Sequence, residues 1–173
     1  MNIFKLARQI NKIHPSRIFC YDIGVKINKE TNEKRIHDIG FVRMDGMYDL
    51  YGKLDINSPS YRDELNSILE YFRHSSLYNL SESKSITMIA HNNFNFDQRY
   101  FTNALKLYNG KEYPRINHFD TLPLSRQLFP NEKYHSLKEI SKRANIPYIK
   151  GDSLKDSMIL SHVYKYLNDN CKH

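Results

Sequence analysis

Apolar and polar positions along this 173-residue chain follow two periods. Alternation with a period of two reads as strand, and apolar spacing of three to four reads as helix. Residues 17–27 (RIFCYDIGVKI), 35–44 (RIHDIGFVRM) and 47–54 predict three successive strands, with a polar turn at 28–34 and a hairpin turn at Asp45-Gly46. A helix is predicted over 61–74, with Leu65, Ile68, Leu69 and Phe72 as its apolar face, and a Ser-rich loop over 75–84. The apolar run 86–90 (ITMIA) predicts a buried fourth strand, and 115–120 (RINHFD) a fifth. Helices are predicted from Asp97, over 122–129, over 136–144 behind a Ser136 cap, and over 153–168. At the start, 1–13 (MNIFKLARQINKI) predicts a short basic helix with Ile3, Phe4, Ala7 and Ile10 along one side, docked on the body. Three strands in a meander, then alternating strands and helices, predict an α/β fold with a mixed sheet.

Two of these helices share an unusual feature: an aspartate heads the apolar stripe. Asp97 is followed by Tyr100, Phe101, Ala104, Leu105 and Tyr108 at core-facing spacing, and Asp156 by Ile159, Leu160, Val163, Tyr164 and Leu167. Asp22 lies within an apolar strand, on the same face as Ile18, Cys20 and Gly24. A single Asp at a helix start is ordinarily a partner for the helix dipole. Three core-directed carboxylates are different. Each is costly to desolvate, and together they repel and their pKa values rise unless a cation holds them. One or two Mg²⁺ or Mn²⁺ ions, which favour oxygen ligands, answer that requirement. Two such ions are the known device for phosphodiester cleavage.

Composition fits that chemistry. Lys and Arg number 26 against 19 Asp and Glu, a net charge of +7, which suits a polyanionic partner. The two cysteines, Cys20 and Cys171, make neither a disulfide framework nor a metal cluster. The length suits one domain. No apolar run is long enough to cross a membrane and no secretory signal peptide is seen, so a cytoplasmic protein without a membrane partner is expected.

Several segments, in order, resemble the DnaQ-like (DEDD) 3′–5′ exonucleases, especially the proofreading subunit of bacterial replicative polymerases. IFCYDIG and RIHDIGFV resemble the first motif and the strand after it, and HNNFNFD resembles the second motif with the spacing of Trex-like members. DTLPLSRQLFP with HSLKEISKRANI resembles the connection to the last motif, and SLKDSMILSHVY resembles that motif. The resemblance covers about residues 17–168. It implies an RNase H-like fold, a five-stranded mixed sheet flanked by helices, with residues 1–16 as an N-terminal helical extension and 17–173 as the exonuclease domain. It also implies that Asp22, Asp97 and Asp156 take three of the four acidic positions, as catalytic groups and as ligands of Mg²⁺ or Mn²⁺. Single-stranded nucleic acid or a 3′ end is the implied partner. His91 and Asn92 either structure the second-motif loop or touch substrate. Phe94 either joins the core, as Phe96, Tyr100 and Phe101 are expected to, or stacks on a terminal base.

Two family positions are lost. The family has Asp-x-Glu where this chain has Asp22-Ile23-Gly24, and a general-base His where this chain has Gly151. Glu30 and Glu33 in the following turn are weak replacements, and the expected role of Asp38 on the next strand is structural. Tyr148 and Asp152 match the spacing of the Tyr-using branch, but the apolar stripe is phased to Asp156, so Asp152 is expected as a helix cap. Losing a ligand and the base together costs orders of magnitude in rate. The expectation is a catalytically degenerate domain with a weak metal site or none, binding nucleic acid or a partner protein, the latter through residues 1–13. The alternatives are an active metal-dependent 3′–5′ exonuclease with a non-standard site and a purely protein-interacting module. Lys133, Lys138, Lys142, Arg143 and Lys150 in the last third either track a phosphate backbone or form a solvated face.

Overall fold

A computed structural model of the chain describes residues 2–77, 85–108, 110 and 112–172. Its strands are β1 (Ile18–Ile27), β2 (Lys34–Arg43), β3 (Asp49–Lys53), β4 (Ser85–Ala90) and β5 (Arg115–Asp120). Its helices are α1 (Ile3–Ile10), α2 (Tyr61–Leu77), α3 (Asp97–Leu107), α4 (Thr121–Leu128), α5 (Leu137–Arg143) and α6 (Ser153–Asp169). The sheet order is β3-β2-β1-β4-β5. The three meander strands pair antiparallel, while β4 and β5, each reached through a helix, run parallel to β1.

β1 lies at the centre and is covered on both faces. Phe19 and Tyr21 point one way into an aromatic cluster with Phe41, Phe72 of α2 and Phe101 of α3; the rings of Phe41 and Phe72 stack 4.2 Å apart. Cys20 and Asp22 point the other way, toward α6, whose Ile159, Leu160, Val163, Tyr164 and Leu167 are all buried. That helix lies close against β2 because residue 40 is glycine. A Cβ there would sit 2.4 Å from the backbone of Ser153 and Leu154. The Ser157 hydroxyl donates to the Gly40 carbonyl at 3.0 Å and fixes the contact.

The predicted elements are present, with shifts at their ends. The helix expected over 61–74 continues to Leu77. Ser76 is buried and its hydroxyl returns a hydrogen bond to the Arg73 carbonyl at 2.8 Å, so part of the serine-rich stretch is absorbed into helix. The rest of the expected loop, 78–84, lies outside the described residues. The N-terminal helix buries Ala7 and Ile10 against the body, and Arg8 donates to the Cys171 carbonyl at 3.2 Å. Its apolar side therefore covers this chain's own core. Among the described residues no helix is long and apolar enough to cross a membrane.

Candidate functional site

Strand pairing creates the site. β4 stops pairing with β1 at Cys20↔Ile89, while β2 accompanies β1 to Ile27. The second half of β1 therefore has a free edge beyond the end of β4. The backbone N–H of Ile23 on that edge donates to Asp97 Oδ1 at 3.0 Å. This bond ties the first residue of α3 to the strand beside Asp22. Asp97 is buried, as its place at the head of the stripe predicts. On the α6 face, the Ser153 hydroxyl lies beside the Asp22 carboxylate, and Asp156 follows one turn along the helix.

Asp22 is the link among the acids: its charge acts on Asp97, and Asp156 acts on it. Burial, then Asp22, pushes Asp97 up to about 8. Burial pushes Asp22 up to about 6; the Ser153 hydroxyl opposes this, while Asp156 and Asp38 add to it. Asp156 is raised by burial, then by Asp152 and Asp38, and its Oδ1 is buried without a hydrogen-bond partner. Only the first of these causes would act on an isolated buried acid. Repulsion from neighbouring carboxylates marks a cluster.

The fate of position 24 is the decisive local feature. Gly24 is registered with Asp38 on β2. A Cβ on Gly24 would lie 1.7 Å from Asp38 Oδ1 and 2.3 Å from the His37 ring. The space that a side chain at position 24 would need is therefore filled from the neighbouring strand. The buried Oδ1 of Asp38 lies 2.9 Å from His37 Nδ1 without a hydrogen bond; Asp38 is held there through Oδ2, which accepts from the Ser153 N–H at 3.2 Å. This anchors the start of α6, the structural role expected of it, and also makes Asp38 a fourth acid beside Asp22 and Asp156. Glu30 and Glu33 do not fold back: both are exposed, and Glu33 pairs with Arg35 at 3.0 Å. Asp152 caps α6, accepting from the Lys155 N–H at 3.0 Å. Burial, then the nearby charges of Asp156 and Asp22, raise the pKa of the Tyr148 hydroxyl. Gly151 is exposed and supplies no proton-transfer group.

The cluster's donors are oxygens, suited in kind to Mg²⁺ or Mn²⁺. Their placement is another matter. Among the described residues no three His, Cys, Asp or Glu side chains are gathered closely enough to hold a metal ion. As arranged here, the residues do not fit the two-ion device.

The second-motif loop is held by an acid that the sequence pattern did not single out. Asp120, at the end of β5, is buried and accepts from the backbone N–H groups of Asn92 and Leu122 at 2.9 Å each, and of Phe94 at 3.3 Å. The only sequence signal was an Asp placed to cap α4. Asn93 completes the brace: it is fully buried, donates to the Phe119 carbonyl at 2.9 Å and accepts from the Tyr21 hydroxyl at 2.5 Å. His91 bridges the Thr121 hydroxyl, 2.9 Å from Nδ1, and the His135 backbone. Asn92 adopts a left-handed φ of 62° at the turn, a conformation Asn tolerates. Phe94 and Phe96 depart from the core expectation and are 53% and 38% exposed. They sit on or just after a 3-10 turn (Asn93–Asn95) that precedes the helical phase. Phe101 is buried and Tyr100 half-buried. Phe94 borders a hollow shared with Leu6 and Gln9 of α1.

Solved structures share this architecture. The chain matches 85% of a chain from the structure of the yeast NOT1 MIF4G domain co-crystallized with CAF1, over 98% of its own length, with a TM-score of 0.65 and 11% identity. It matches 80% of the RNase domain of the yeast Pop2 protein over 94% of its length, with a TM-score of 0.58 and 12% identity. The fold is RNase H-like. Part of Phi29 DNA polymerase complexed with primer-template DNA is similar too: 90% of this chain matches 31% of the polymerase, with a TM-score of 0.51 and 12% identity. At such identities the likeness is one of fold. No family model and no curated protein matches the sequence.

Proposed function

We propose that this RNase H-like domain is a DnaQ-like exonuclease relative that binds single-stranded nucleic acid or 3′ ends and has lost efficient hydrolysis. The observation that carries this reading is position 24, where Asp38 and His37 occupy the space of a second β1 carboxylate. Gly151 adds the absence of a base at the family's position. The retained parts are Asp22, Asp97 and Asp156, together with a second-motif loop whose backbone is clamped by Asp120. The excess of basic residues across the chain offsets the local acid cluster for a polyanion. His91 and Asn92 act in this reading by shaping the loop, and Phe94, exposed at its tip, is the group placed to meet a base. Any divalent cation binds weakly, because the carboxylates must first draw together.

The test is degradation of a 5′-labelled single strand, as DNA and as RNA, with Mg²⁺ or Mn²⁺, in wild type and Asp97→Ala. No shortening beyond that of the variant is expected. Laddering from the 3′ end that disappears in Asp97→Ala would overturn the proposed loss of hydrolysis and favour an active enzyme with a non-standard site.

A further inference from the structure

Beside the second-motif loop lies a cleft of about 700 Å³ that shares His91 and Asn92 with the site described above and is otherwise lined by α4, α5 and the segment between them. We propose that this cleft is a second binding position on a nucleic-acid strand, taking a backbone phosphate and a base further along than the end at the carboxylates. The inference rests on the reading above and names where the rest of the strand goes.

The cleft and the carboxylates share one support. Asp120 Oδ1 accepts from Asn92 on one wall and from Leu122 on the other, both at 2.9 Å, and its charge adds, after burial and Asp22, to the raised pKa of Asp97. In this reading a strand leaving the carboxylates continues over this loop into the cleft.

The lining has the chemistry for a strand. Arg126 and Lys133 are exposed and have no acidic partner among the described residues. Of the described side chains that line the cleft, Glu139 alone is acidic. Tyr134 presents its ring 59% exposed, with Lys133 Nζ 5.2 Å from the ring centre. An aromatic face with a cation beside it is the recurring platform for a base and its phosphate.

The platform is also held still. The carbonyl of Tyr134 accepts from Arg143, which is itself braced against Glu132 at 3.4 Å. His135 is fixed by Ser125 Oγ, 2.9 Å from Nδ1, and by the Glu132 carbonyl, 3.0 Å from Nε2. Folding uses the backbone and neighbours of Tyr134 but leaves its ring free. With its backbone fixed, Tyr134 has only two side-chain torsions to order on binding, a small entropic cost for the area it offers.

The experiment is fluorescence anisotropy of a 5′-labelled single strand of about twelve nucleotides, titrated at several salt concentrations. The proteins are wild type, Arg126→Ala/Lys133→Ala, Tyr134→Ala, Tyr134→Phe and a charge-matched control, Lys29→Ala/Lys53→Ala, from the β1–β2 turn and the far-edge strand. All altered side chains are exposed, and thermal melts check that each variant is folded. The double variant is expected to bind about tenfold or more weakly and to reduce the slope of log K against log salt by about 1.4, the release expected from two single-strand phosphates. Tyr134→Ala is expected to weaken binding about fivefold or more with the slope unchanged, and Tyr134→Phe to retain affinity. The control stays within about twofold of wild type. Wild-type affinity and slope in both cleft variants would overturn this position while leaving nucleic-acid binding intact. Failure of wild type to bind the strand even at low salt would instead remove the reading on which it rests.

Discussion

Replacing Asp97 by Asn should stabilise the protein at neutral pH. Burial and Asp22 hold the Asp97 carboxyl at about 8, against about 3.9 in an unfolded chain. Between those values the folded protein keeps a proton that the unfolded chain releases. Stability therefore falls as pH rises from about 4 to about 8, and this group has no effect on the slope outside that window. At pH 7 the gap is about three pH units at about 1.4 kcal/mol each, a ceiling of about 4 kcal/mol. Residual structure in the unfolded chain lowers that ceiling, so about 1–3 kcal/mol is expected. Asparagine keeps an Oδ1 to accept from the Ile23 N–H but carries no charge. For a chain of this size each kcal/mol moves Tm by about 2–4 °C. Thermal melts in chelator, from about pH 4.5 to about pH 8.5, should show the variant several degrees above wild type at pH 7, with the gap closing toward acid. A variant that melts at or below wild type at pH 7, or a gap independent of pH, would refute the description of Asp97 as a strained member of a carboxylate cluster.

Other substitutions test the supports of the site. Gly40→Ala places a Cβ 2.4 Å from the backbone of Ser153 and Leu154, which cannot swing aside, and urea unfolding should report a loss of about 2–3 kcal/mol. Gly24→Ala should cost about 1–3 kcal/mol by the same measurement, because the atoms it meets belong to Asp38 and His37 rather than to solvent. Asp120→Asn leaves one acceptor oxygen where three N–H groups now converge; hydrogen exchange at Asn92 and Phe94 should quicken, with about 1–3 kcal/mol of stability lost. Mg²⁺ or Mn²⁺ should raise the wild-type Tm only slightly: a Kd of about 1 mM with about 10 mM cation supplies about 1.4 kcal/mol. A much larger rise would show that the carboxylates close into a firm site.

The parts of the site that follow a period were legible in the sequence. Asp97 and Asp156 are found by the phase of the stripes behind them, and Asp22 by the strand it interrupts. What depends on register was not. That Asp38 and His37 fill the place beside Gly24 follows from the Gly24↔Asp38 pairing, which alternation alone leaves open. Asp120 becomes the anchor of the second-motif loop only because β5 ends beside that loop in space. Phe96 lies outside the core, and Phe94 takes the exposed one of its two readings, because both precede the helical phase and a 3-10 turn carries no periodicity that reveals their direction. Serine composition left the end of α2 open: Ser76 is buried on the helix with its hydroxyl satisfied by the Arg73 carbonyl, which a count of serines does not reveal.

The most direct test of the central claim is equilibrium binding of a labelled single strand to wild type and to Asp22→Asn/Asp97→Asn/Asp156→Asn, in chelator. If the domain binds a strand without depending on metal chemistry, wild type binds, and the triple variant binds at least as tightly because three negative charges facing the phosphates are gone. Absence of binding by wild type, or its loss in the folded triple variant, would contradict the account.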